Sequence, residues 1–115
     1  MKKEWKVCNV QTDHILDGEP ESSRCCAIAL AMEQIIGRRS KYNGYSPVIS
    51  NAKDMHLEYI GEYGKFPLSI EVYEEDRQEV DNFIWQFDAT DSDETYPLPL
   101  PMMFRYRIID KKEQK

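Results

Sequence analysis

Hydrophobic positions along this chain follow two periods. Near-alternation runs through residues 5–11 (WKVCNVQ), 45–49, 55–60 (MHLEYI) and 102–110 (MMFRYRIID), as expected of strands. Spacings of three and four mark Val80, Phe83, Ile84 and Phe87, one apolar stripe of a helix. A third pattern fits neither period. Within SSRCCAIALAMEQIIG (22–37), every residue from Cys25 to Met32 is non-polar, and Ile28, Leu30, Met32, Ile35 and Ile36 point several ways. A helix apolar nearly all round belongs in the centre of a domain. Ser22 or Ser23 is its expected N-cap and Gly37 its stop, with Arg38 and Arg39 beside its negative end.

Punctuation divides the rest. In TDHILDG, Thr12 is expected to cap one helical turn and Gly18 to end it in the left-handed conformation. Asn43-Gly44 and GEYG (61–64) signal turns, and Pro47 suggests an edge strand. KFPLSIEV adds a strand near Phe66, interrupted by Pro67. Glu74, Glu75 and Asp76 precede the second helix, where its positive end favours carboxylates. ATDSDETYPLPLP (89–101) reads as a loop whose prolines stiffen the approach to the last strand. The expected fold is α+β: an antiparallel sheet of four to five strands with two helices on one face, as a single domain over 1–110. KKEQK (111–115) is expected to be a disordered tail.

Composition agrees with one soluble core. The chain has 115 residues and is 41% hydrophobic, enough for one domain without cross-links. Its longest apolar run, eight residues, is far below the roughly 20 of a membrane span. MKKEWKVCNV is interrupted by Glu4, Lys6 and Asn9 and lacks the apolar stretch of a signal peptide. A cytoplasmic protein with three reduced thiols is expected, since the cysteines are odd in number and two are adjacent. Residues 71–94 hold ten carboxylates and one base, a charge of −9, whereas the whole chain carries −6 and the remainder therefore +3. This polarity argues against direct nucleic-acid binding and suits a partner with a basic surface.

Few residues suggest bond chemistry. Cys25 and Cys26 lie where a helix end can activate a thiol, but no C-x-x-C or C-x-x-H spacing accompanies them, and His14 and His56 are isolated. Buried, inert thiols are expected, with no metal, no cofactor and no catalytic residue. A Cys–His–carboxylate system built on His14 has no supporting motif. Pro97, Pro99 and Pro101 alternate and form no P-x-x-P ligand. Arg105 and Arg107 share one face of the last strand and, with Tyr106 and Arg39, are candidates for a phosphate-bearing ligand. The acidic second helix is the stronger candidate. Trp85 lies off its apolar stripe near Asp81 and Asp88, so Glu74, Asp81, Trp85 and Asp88 are the expected protein-binding residues.

In order, VQTDHILDG, CCAIALAMEQIIG, VDNFIWQFD and PMMFRYRI resemble a family of small bacteriophage and prophage proteins, over about two thirds of the chain. That family shares a T-x-x-[DH]-I-x-x-G turn, a C-P-[IV]-A-L-A-[LM] helix, an F-I-x-x-F-D helix and a strand with P-x-x-F. Here Ala27 replaces the usual proline, and Ser22 or Ser23 replaces an earlier cysteine, which argues further against a metal or redox site. The resemblance implies no activity or cofactor. It implies a phage accessory protein, and such proteins commonly bind and inhibit host machinery, antiviral defence included. The expectation is a non-enzymatic inhibitor that docks its acidic helix on a basic host surface, with carboxylates imitating phosphate spacing. The alternative is an oligomer, at least a homodimer, that sequesters a nucleotide signal through Arg39, Arg105, Tyr106 and Arg107.

Overall fold

The computed structural model describes residues 4–36, 42, 44–60, 66–93 and 95–109. The expected stop at Gly37, Arg38, Arg39, Asn43, the GEYG turn and the tail 111–115 lie outside the described residues. Five strands form one antiparallel sheet: β1 (Lys6–Val10), β2 (Tyr45–Asn51), β3 (Asp54–Tyr59), β4 (Leu68–Val72) and β5 (Met102–Ile109). Their spatial order is β1-β5-β4-β3-β2, so β2 to β4 form a meander and the last strand inserts beside the first. The helices are α1 (Thr12–Asp17), α2 (Ala27–Ile36) and α3 (Arg77–Ser92). This is the α+β fold the sequence predicts, with the strand after Pro67 present as β4.

Register sorts the alternating residues onto two faces. Cys8 lies opposite Phe104, Ile108 opposite Ile70, and Met55 opposite both Ile70 and Ile49. These residues join Val80, Phe83 and Phe87 of α3 and most of α2 in one buried core. Both long helices therefore cover the same face. Helix α2 packs against β1 and β2, the opposite edges of the sheet. Laid flat, those edges would be roughly 19 Å apart at the usual strand spacing, so the sheet curls round the helix. The free edge of β2 is covered too. Ile49 N–H donates to Ser23 O at 2.8 Å. The nitrogen of Pro47, two residues away, faces the same side and has no hydrogen to place, which is why an edge strand tolerates it.

Local details correct several expectations. Gln11, not Thr12, caps α1, and its N–H donates to His14 Nδ1 at 3.0 Å. That acceptor role assigns the ring proton to Nε2, which lies 2.7 Å from Gln34 Oε1 on α2. Gly18 is extended (φ −72°, ψ 155°) rather than left-handed. Its lack of a side chain serves proximity, since a Cβ there would lie 2.7 Å from Ala27 N and 2.9 Å from His14 O. Ser22 caps a turn ahead of α2: its Oγ accepts from Cys25 N–H at 3.1 Å and its carbonyl from Cys26 N–H at 3.0 Å. The helix itself starts later than expected, at Ala27. Helix α3 extends to Ser92 through residues expected in the loop, with Thr90 Oγ1 donating back to Phe87 O at 2.7 Å.

At an extended position, Gly18→Ala would ordinarily stabilise the chain by restricting its unfolded state. The clash with α2 should reverse that sign and cost about 2 kcal/mol in urea unfolding. A stabilised variant would disprove the close approach.

Candidate functional site

Asp81, Trp85 and Asp88 lie at i, i+4 and i+7 of α3, one flank of the helix beside its buried stripe. Both carboxylates also hold the surrounding chain. Asp81 Oδ1 accepts from Ala52 N–H, in the β2–β3 turn, at 2.8 Å. Asp88 Oδ1 accepts from Glu21 N–H at 2.8 Å. Glu21 has φ 59°, the only positive value at a non-glycine position among the described residues. That conformation is unfavourable by roughly 1 kcal/mol and is kept by the bond to Asp88. Neither aspartate is paired with a base among the described residues.

Trp85 stands between them with 66% of its surface exposed. Its ring meets Tyr96 edge to face at 5.8 Å, and Gln86 Nε2 donates to Pro97 O at 3.0 Å, so the loop before β5 is strapped along α3. Asp81, Trp85 and Asp88 line one open depression with Glu21, Asn51 and Ile84. Three of the four expected protein-binding residues are thus assembled. The fourth, Glu74, sits in a short 3-10 turn (Glu74–Asp76) ahead of α3. At 1.5 Å per residue it is roughly 20 Å along the axis from Asp88.

The second set is divided by the sheet. Arg105 and Arg107 share the outer face, as expected, but Tyr106 is 2% exposed on the inner face. Burial pushes the Tyr106 hydroxyl pKa up. Arg39 lies outside the described residues. The two guanidinium groups already have anions. Asp76 accepts from Arg105 N–H, Nε and Nη2 at 2.8, 2.9 and 2.8 Å, so it serves β5 rather than the end of α3, a correction to the sequence reading. Glu71 pairs with Arg107. Arg105 also lies 3.9 Å from the Tyr73 ring centre and Arg107 4.4 Å from that of Trp5, while the two rings meet edge to face at 5.0 Å. Nearby, Arg24 and His56 both bond Glu58, which holds that carboxyl below its usual range.

The thiols differ from expectation in one respect. Cys8 and Cys26 are buried, but Cys25 is exposed, because the turn capped by Ser22 points it outward. Burial pushes Cys8 up to about 12 and also raises Cys26, with Asp88 adding to the effect. Cys26 Sγ accepts from Ala29 N–H at 3.5 Å. Both His14 nitrogens are engaged by Gln11 and Gln34. Among the described residues no three His, Cys, Asp or Glu side chains are grouped to hold a metal. No described helix is long and apolar enough to cross a membrane.

Sequence reading missed the contribution of residues 21–23 and 49–52 to this site. Neither Glu21 nor Asn51 belongs to a periodic pattern or motif in the sequence, and each joins the site only through the fold. Compared with protein families, curated proteins and solved structures, the chain finds no significant match in any of them. Fold and site together describe an α+β protein with an acidic depression centred on an exposed tryptophan.

Two outcomes follow from this chemistry. Arg105 hydrogen bonds hold the Asp76 carboxyl below the ordinary carboxylate range. Stability from this pair is complete above the unfolded pKa of about 3.9 and is lost as pH falls through the lower folded value. Asp76→Asn should lower the urea midpoint at pH 7 and flatten the fall in stability below about pH 4. A thiol reagent should meet one fast group in the native protein, and Cys25→Ser should remove it, leaving Cys8 and Cys26 to react only on unfolding.

Proposed function

We propose that this chain is a non-enzymatic binding protein of the phage-accessory type, which inhibits a host protein by docking the Asp81–Trp85–Asp88 flank of α3 on a basic surface. The observation that carries the reading is the exposed indole between two carboxylates unpaired with any base among the described residues. A large aromatic side chain left in water contributes little to folding, whereas at an interface it supplies much of the binding energy. Anionic groups around it speed encounter with a cationic surface and disfavour anionic ones.

The outer sheet face offers the contrasting case. Its arginines are matched by Asp76 and Glu71 and covered by Tyr73 and Trp5, so they present little free charge to a phosphate. This favours the α3 flank over the nucleotide reading. The phage context and the host target come from the motif resemblance, and antiviral defence is the class of target it suggests.

Immobilised protein should capture a host partner at about 50 mM salt and release most of it by about 500 mM, where charge interactions are screened within a few ångströms. Trp85→Ala should weaken capture tenfold or more, roughly the effect of an interface hot spot, while lowering the thermal midpoint only by the few degrees that loss of the Tyr96 contact costs. A partner indifferent both to salt and to Trp85 would defeat this reading.

A further inference from the structure

The depression beside Trp85 continues inward. Beside it lies a crevice of about 260 Å³, and Glu21, Ile84 and Asp88 line both, so the two adjoin along the Glu21–Asp88 hydrogen bond as one composite groove. Its walls come from the segment leading into α2, the end of β2 and the flank of α3. The inner end has an apolar floor, formed by Cys26, Ile28, Ile49, Phe83 and Phe87, beneath a polar rim of Glu21, Ser22, Ser23, Ser50 and Asp88. The outer end is anionic and aromatic, formed by Glu21, Asp81, Asp88 and Trp85. Among the described residues no base lines either end. Ser23 and Ser50 stand at the inner rim, both exposed.

Each end selects against a different class of occupant. The carboxylates repel nucleic acid and anionic lipid, and the apolar end gives no return for a fully hydrated cation. A segment that alternates apolar and cationic side chains satisfies both. Its aliphatic side chain loses water in the crevice, and its ammonium or guanidinium group lies against the indole face near two carboxylates. The rim hydroxyls can exchange hydrogen bonds with its backbone amides, which an amine without a peptide backbone would not use.

We infer that the groove receives a short basic peptide segment of the partner, one apolar side chain entering beside Cys26 and Phe83 and an adjacent arginine or lysine resting on Trp85 between Asp81 and Asp88. This rests on the docking reading above and gives its partner surface a chemistry. Asp81 and Asp88 then act twice: they hold the groove walls through Ala52 and Glu21, and they attract the cation. Trp85 is the contact residue whose removal leaves those walls in place.

The test is amide and indole NMR of the labelled full chain with three small probes. The first is an acetylated tripeptide amide of arginine, leucine and arginine. In the second alanine replaces leucine, and in the third glutamate replaces both arginines. The first should shift the Trp85 indole together with the amides of Ile28, Ile49 and Phe83. The alanine probe should move Trp85 but not the crevice amides, and the glutamate probe should move neither. Trp85→Ala should weaken the first probe roughly five- to tenfold, as loss of a cation–aromatic contact predicts. Ser50→Phe, at an exposed rim position, should abolish the crevice shifts and spare Trp85.

Crevice amides unmoved by the first probe at about 10 mM would overturn the inference, as would equal shifts from the acidic probe. So would crevice shifts from the alanine probe equal to those from the first, since the occupant would then need no large apolar side chain. A host partner that depends on Trp85, combined with a crevice the tripeptide never enters, sinks this inference and leaves the docking reading standing. An occupied crevice with no Trp85-dependent partner does the reverse.

Discussion

Ala27, Ile28, Ala29, Ala31, Met32 and Ile36 leave helix α2 with apolar groups on most of its circumference, and the remainder of the molecule is arranged to keep water from it. One flat sheet can cover only one side of such a helix. The strands therefore curl until β1 and β2, the two edges, both touch it, and α1 packs along a further side, while Glu33 and Ile35 stay exposed. The alanines let neighbouring backbone approach closely, and Gly18 is the extreme case, with Ala27 N where its side chain would begin. At β2 the segment ahead of α2 also meets the sheet edge, through Ile49 N–H to Ser23 O, and blunts it as a template for unwanted pairing.

Charge is distributed unevenly over this frame. On the outer sheet face, carboxylates and guanidinium groups are matched one to one and braced by Trp5 and Tyr73. No buried side-chain polar atom among the described residues lacks a partner. On α3 the balance is different, because Asp81 and Asp88 spend one oxygen each on backbone amides and keep their negative charge unopposed by any described base. The first arrangement stabilises a surface. The second also fixes loops, but it leaves a field that reaches solvent, and this asymmetry is what directs the functional reading to α3.

Half of the candidate site was legible before any coordinates. Asp81, Trp85 and Asp88 could be placed on one flank because helical period alone determines which residues are neighbours along a helix. Arg105 and Arg107 could be placed together because period two does the same for a strand. The partners of these groups were not legible. Asp76 looked like a helix-end carboxylate, yet it bonds Arg105, 29 residues later. Cys25 and Cys26 look alike in sequence, yet a single turn capped by Ser22 exposes one and buries the other.

The sequence by itself determined the elements, their apolar faces and the acidity of α3, because each depends on spacing within one segment. It also determined that α2 must be central, since no single surface could satisfy it. Tertiary structure alone decided that β5 inserts between β1 and β4, that Asp76 and Glu71 reach Arg105 and Arg107, and that residues 21–28, the end of β2 and α3 meet around a groove. Those outcomes depend on contacts between segments far apart in the chain. Which distant segments meet is settled by the packing of the whole core around α2, and no local period records it.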